Sequence, residues 1–169
     1  MNIKTLRKYL LPISVIAMVA LGFIYRYFSI SHELSYWNDE SNVGIFSRGI
    51  LEYGMPVNAN NVGYGVYEIL LFYVTALSYS FFGISEFAGR FPSVVAGTVL
   101  IGVLYGVTKH LINQKAAVIA AFLGGFLQIQ FAWSTQLRPY IWLQLFTVLV
   151  TYYSYRFLAN KQIFLDKNM

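Results

Sequence analysis

The chain contains no cysteine. That excludes disulfides and thiolate metal sites, and it leaves the redox compartment unspecified. Charge is nearly as scarce: Asp, Glu, Lys and Arg make up 11% of the 169 positions, where a soluble domain carries about a quarter. An ordinary soluble globular domain is therefore excluded. The formal charge of +5 would suggest an anionic partner such as nucleic acid in a soluble protein. In a chain this poor in charge it is better read as cytoplasmic anchoring of membrane segments.

What is abundant is apolar surface. Hydrophobic residues fill 57% of the sequence, Tyr and Phe occur 14 times each, and the mean hydropathy is +0.56. Sustained apolar runs of roughly 17 to 20 residues read as membrane-spanning helices, since backbone amides in lipid must be satisfied within their own segment. Lys4, Arg7 and Lys8 precede the first run, at 9–25. No small-residue cleavage site follows it and further runs lie downstream, so it is read as an uncleaved first span over 9–26. Pro12 falls near its start, where proline is tolerated, and Arg26 is placed to snorkel to the far interface. A polar stretch follows from Ser31 to Gly65, and its "GMPVNANNVGYG" has loop chemistry.

Four more apolar runs lie at 66–82, 91–107, 116–133 and 140–158. If all four crossed the bilayer, Lys109, Lys115, Lys161 and Lys167 would face outward, against the positive-inside rule. If 66–82 instead lies along the outer surface, all six lysines face the cytoplasm and every acidic residue except Asp166 faces out. Glu68, Thr75, Ser78 and Tyr79 form the polar stripe that such an amphipathic helix needs. The expected fold is all-α and integral to the membrane. It has spans at 9–26, 91–108, 116–133 and 139–158, an outer loop over 31–90 carrying the surface helix, and both termini in the cytoplasm.

That topology gathers Glu33, Asp39, Glu40, Glu52, Glu68 and Glu86 on the outer face, with Arg48, Arg90 and Arg138. The adjacent carboxylates in "YWNDES" then sit at a lipid–water boundary, where partial desolvation suits a general base or a divalent metal ligand. The competing reading is that Asn38 or Asp39 caps a helix beginning near Ser41. Arg90 with Glu86 four residues earlier reads as a structural pair ahead of Pro92. Gln128 and Gln130 read as inter-helix hydrogen-bonding groups, and Trp133, Tyr140 and Trp142 as an interfacial aromatic belt. His32 beside Glu33 and His110 beside Lys109 read as solvated side chains.

Three motifs in order, "YWNDES", "FFGISEFAGRFPSVVAG" and "STQLRPYIWLQLFTVL", resemble the N-terminal part of the GT-C membrane glycosyltransferases. The similarity is to the polyprenyl-phosphate-sugar-dependent group that includes protein O-mannosyltransferases and aminoarabinose transferases. It implies transfer of a sugar from a lipid-linked phosphate donor to an acceptor on the extracytoplasmic face of the cell membrane. By that resemblance Asp39 deprotonates or orients the acceptor, Glu40 supports it, and Arg138 binds phosphate or organises the pocket with Tyr140 and Gln136. No cofactor is required by the pattern, although a divalent metal would fit the acidic pair. The chain also departs from the family. "VGYGVYEILL" stands where relatives often carry a His-Pro-Pro-type segment, and Gln136 stands where many have an acidic residue. Relatives also have many more spans. The expectation is thus an N-terminal fragment of a larger module, with the missing C-terminal portion as a possible separate partner chain. The alternative is a small non-catalytic or degenerate membrane subunit.

Overall fold

A computed structural model describes residues 3–32, 35–58, 60 and 68–167, with side chains placed for 13–32, 35–58, 60 and 68–160. Among the described residues the chain forms seven helices. They are α1 (Ile3–His32), α2 (Asn38–Tyr53), α3 (Ile69–Phe82), α4 (Glu86–Leu111), α5 (Gln114–Phe126), α6 (Gln128–Ser134) and α7 (Tyr140–Lys167). Two of them, α1 over Ile13–His32 and α4, are long and apolar enough to cross a membrane, and the bent pair α5–α6 makes a third if it counts as one span. The helix α7 is long, but Gln144, Tyr152, Tyr153, Tyr155 and Arg156 dilute its apolar character, so it is not among those candidates.

The hub is α4, which packs on α1, α3, α5, α6 and α7. Its start is well specified. The Ser85 hydroxyl accepts from Ala88 N–H at 3.2 Å, and Glu86 sits in the first turn beside the positive end of the helix dipole. The helix therefore begins five residues earlier than the expected span, and Pro92 falls inside it rather than in its first turn. Proline cannot donate to the carbonyl four residues back, which is that of Ala88. The Ser78 hydroxyl of α3 fills the gap, donating to Ala88 O at 2.6 Å. A proline that should weaken α4 thus docks α3 against it.

At 14 residues, α3 is about 21 Å long, short of a bilayer core of roughly 30 Å. The polar stripe expected to face water is turned inward instead: Thr75, Ser78 and Tyr79 are buried. Ile69, Leu70, Tyr73, Leu77 and Phe81 face outward. Two of the inward polar groups have protein partners: besides Ser78, the Tyr79 hydroxyl hydrogen-bonds that of Tyr36 at 2.8 Å, while the buried Thr75 hydroxyl has none among the described residues.

Between α4 and α5 the Asn113 side chain caps the new helix, its Oδ1 accepting from Lys115 and Ala116 N–H, both at 3.0 Å. The close packing of α5 on α4 needs Gly124, since a Cβ there would overlap Leu104. The continuous span expected over 116–133 is in fact broken. Leu127 takes an extended conformation (φ −62°, ψ 137°), and the axis bends by 57° between α5 and α6. Arg26 also departs from expectation. Because α1 runs on to His32, Arg26 lies inside the helix and is fully buried, unable to snorkel.

Candidate functional site

The site is assembled around α2. Trp37 is extended, its carbonyl accepts from Ser41 N–H at 2.9 Å, and Glu40 at the third helical position accepts from Trp37 N–H at 3.1 Å. The helix starts at Asn38, so Asp39 and Glu40 occupy its first turn rather than preceding a start near Ser41. Gly54 ends α2 in the left-handed region at φ 77°, with its N–H on Ile50 O at 3.0 Å.

Successive residues in the first turn point in different directions, and the two carboxylates meet different surroundings. Glu40 is fully buried. Its Oε1 accepts from Arg90 Nε at 3.0 Å and from Leu137 N–H at 2.6 Å, and its Oε2 from Arg90 Nη2 at 2.8 Å. Arg90 also donates from Nη2 to Ser35 O at 2.9 Å and lies over the Tyr36 ring. Arg90 therefore pairs with Glu40, fifty residues away, and not with Glu86 as the local spacing suggested. Burial by itself would raise the Glu40 pKa. The bonds from Arg90, Leu137 and Trp37 more than reverse this, holding the carboxyl below the usual carboxylate range. With its oxygens so occupied, Glu40 is a charged tie between α2, α4 and the segment before α7 at neutral pH.

Asp39 points the other way, into a polar cavity of about 230 Å³ lined by Asp39, Asn42, Val43, Glu68, Phe72 and Arg138. Its Oδ2 is 2.5 Å from Arg138 Nη1, with the Asp39 side chain 59% exposed and that of Arg138 22% exposed. Arg138 is carried there because Glu40 pins the preceding residue: Leu137 N–H is bound to Glu40, and Leu137 packs against Val43, Phe46, Leu71 and Phe72. One carboxylate of "DE" thus positions the cation that the other one faces. Glu68, at the start of α3, closes the far wall. Burial raises its pKa; Arg138 opposes this, and the Asp39 charge adds a smaller upward push.

The expected site residues separate accordingly. Asp39 and Arg138 share the cavity, Glu40 lies behind it, and Gln136 and Tyr140 do not line it. Tyr140 packs on Trp133, with ring centroids 4.3 Å apart. Gln128 is exposed and the buried Gln130 Oε1 has no hydrogen-bond partner among the described residues, so neither bridges helices as expected. His32 bonds Phe28 O at 2.8 Å, while Glu33 lies outside the described residues. Asn42 and Glu68 are cavity residues that the motifs did not single out. Asn42 is three positions after Asp39, the spacing that shares a helix face; Glu68 reads from the sequence only as an outer-face acid of the polar stripe, with nothing to tie it to Asp39. Among the described residues no three metal-ligating side chains converge. Arg138 already neutralises Asp39, so the cavity does not fit a divalent cation.

Glu68 also belongs to a second recess. An apolar groove of about 210 Å³ runs from it between α3 and α7, past Ile69, Leu70, Leu71, Pro139, Trp142, Leu143 and Phe146. Glu68 is the residue that lines both recesses.

Residues 68–165, more than half of the chain and the stretch from α3 into α7, match the family described as dolichyl-phosphate-mannose-protein mannosyltransferase. Asp39 and Glu40 lie ahead of the matched stretch. Searches of curated proteins and of solved structures return no match. The chain belongs to the dolichyl-phosphate-mannose-protein mannosyltransferase family, and is a membrane glycosyltransferase of the GT-C type.

Proposed function

We propose that the chain carries the acceptor-activating corner of an enzyme that transfers a sugar from a polyprenyl-phosphate-linked donor to an acceptor hydroxyl on the extracytoplasmic face. The observation that carries this reading is the place of Glu68, which lines both a charged cavity holding Asp39 and Arg138 and an apolar groove. Such a pair of recesses matches a ligand with a long apolar chain and an anionic head.

In the reaction the acceptor oxygen attacks the anomeric carbon, its proton passes to Asp39, and the bond from that carbon to the phosphate oxygen breaks. The electron pair leaves with the lipid phosphate. Asp39 suits the proton step because its carboxylate is solvent-accessible, unlike that of Glu40. Arg138 suits the phosphate, because a guanidinium can turn from a carboxylate to a phosphate oxygen and bind either with two donors. In the apo state the Asp39–Arg138 pair holds both groups in the cavity; donor binding exchanges one anion for another and frees Asp39 to take the proton.

The membrane arrangement that serves this chemistry has α1, α4, α5–α6 and α7 as four spans of a single membrane domain. The helix α3 lies at the outer boundary, and both termini are in the cytoplasm of a cell-membrane protein. The apolar outward face of α3 then contacts lipid and its inward polar groups dock it on α2 and α4.

The test is to supply labelled polyprenyl-phosphate mannose to sealed membranes containing the protein and follow label into acceptors from each side. Transfer from the extracytoplasmic side supports the proposal. Absence of transfer with this and other polyprenyl-phosphate sugars favours the non-catalytic alternative.

A further inference from the structure

A buried arginine in a membrane-crossing helix is costly unless its donors are satisfied, and such residues usually serve function. Arg26 is fully buried, and no carboxylate among the described residues pairs with it. Its partners are all on the protein frame. Nη1 donates to Gly22 O at 3.0 Å, one turn back in α1; Nη2 donates to Gly125 O at 2.9 Å; Nε donates to Ser134 Oγ at 2.6 Å.

Two of these partners, Gly125 and Ser134, lie on the two sides of the break at Leu127. Gly125 is in the last turn of α5, where carbonyls lose their helical donors, and Ser134 is the last residue of α6. One planar guanidinium therefore spans both arms of the bend. The surroundings are shaped to admit it. A Cβ on Gly97 of α4 would overlap the Ser134 side chain and come within 3.2 Å of Arg26 Nε, and one on Gly22 would stand 3.1 Å from Arg26 Nη1.

The segment just after Ser134 builds the site. Three residues on, Leu137 N–H binds Glu40, and four residues on, Arg138 faces Asp39. We infer that Arg26 is a positioning residue: by clamping α5 and α6 across their break, it sets where Leu137 and Arg138 meet α2. The link to catalysis rests on the glycosyltransfer reading above; the clamp itself does not. Lysine cannot reproduce it, since a single ammonium cannot reach three acceptors in the fixed fork of a guanidinium.

The chain's lack of cysteine gives a clean test. Thr135, 3% exposed and adjacent to Ser134, is changed to Cys in the full protein, and its labelling by a membrane-impermeant maleimide is timed. Arg26→Met and Arg26→Lys should each speed labelling at least tenfold. Ser134→Ala, which removes only one of the three bonds, should speed it severalfold and keeps the test alive if the Arg26 variants fail to insert. In the transfer assay, without the reporter cysteine, Arg26→Lys should lower kcat at least tenfold and also raise KM for the lipid-linked donor severalfold, because both Asp39 and the phosphate contact of Arg138 lose their alignment. Unchanged labelling in every variant overturns the clamp, as does an Arg26→Lys protein that labels and turns over like the parent. Faster labelling alongside no transfer even in the parent would leave the clamp standing and defeat the glycosyltransfer reading.

Discussion

Removing the Glu40 carboxylate should damage the fold more than the chemistry. In Glu40→Ala, Arg90 is left as a buried cation without its carboxylate, and Leu137 N–H loses its acceptor. Breaking a buried pair by deleting one partner costs about 3–5 kcal/mol, and a stranded buried N–H adds about 1–3 kcal/mol. These terms overlap, so the expected loss is about 4 kcal/mol, a fall in midpoint on the order of 10 °C for a chain of this size. Intrinsic tryptophan fluorescence during heating in detergent measures it, with a double-mutant cycle using Arg90→Met. If the pair is a single unit, the double variant should recover at least about 1 kcal/mol relative to the sum of the single losses. The pH dependence has a defined sign. The folded pKa of Glu40 is depressed, so its stabilisation is complete above the unfolded value of roughly 4.3 and fades as pH falls through that value toward the folded one. Glu40→Gln should flatten that acid limb. Additive losses in the cycle, together with an unchanged limb, would refute the role of Glu40 as a structural tie.

Particular contacts elsewhere carry their own expectations. Gly49→Ala should destabilise by about 1–3 kcal/mol in the same melting assay, because its Cβ would overlap the Val57 carbonyl where the loop folds back on α2. Ser78→Ala should cost about 1–3 kcal/mol by stranding Ala88 O. That cost should largely vanish in Pro92→Ala, where the backbone N–H restored at position 92 bonds the same carbonyl. Arg138→Lys should fold normally and raise KM for the lipid-linked donor about tenfold, since an ammonium cannot give the planar two-donor contact.

Much of this architecture can be read from local patterns. Apolar runs mark α1, α4, α5–α6 and α7, and the Asp39 and Arg138 motifs meet in the same cavity. The remainder depends on partners distant in sequence. Nothing near Arg90 indicates that its carboxylate is Glu40 rather than Glu86, because helical spacing favours the nearer one and only the packing of α2 against α4 decides. Thr75, Ser78 and Tyr79 give the same polar stripe whether it meets water or protein, and the carbonyl freed by Pro92 turns it inward. The bend at Leu127 has no proline to announce it. It is held from outside by Arg26, whose chain position looked like the end of a span.

The proposed activation of an acceptor depends most directly on the side chain of Asp39. The decisive measurement is the rate of sugar transfer from a polyprenyl-phosphate donor by Asp39→Asn protein, with its melting midpoint recorded alongside. Loss of a proton-accepting carboxylate should lower kcat by about 10²–10⁴-fold, while the midpoint stays within a few degrees of the parent because Asp39 is largely exposed. Transfer at the parent rate by the folded Asp39→Asn protein would contradict the central claim.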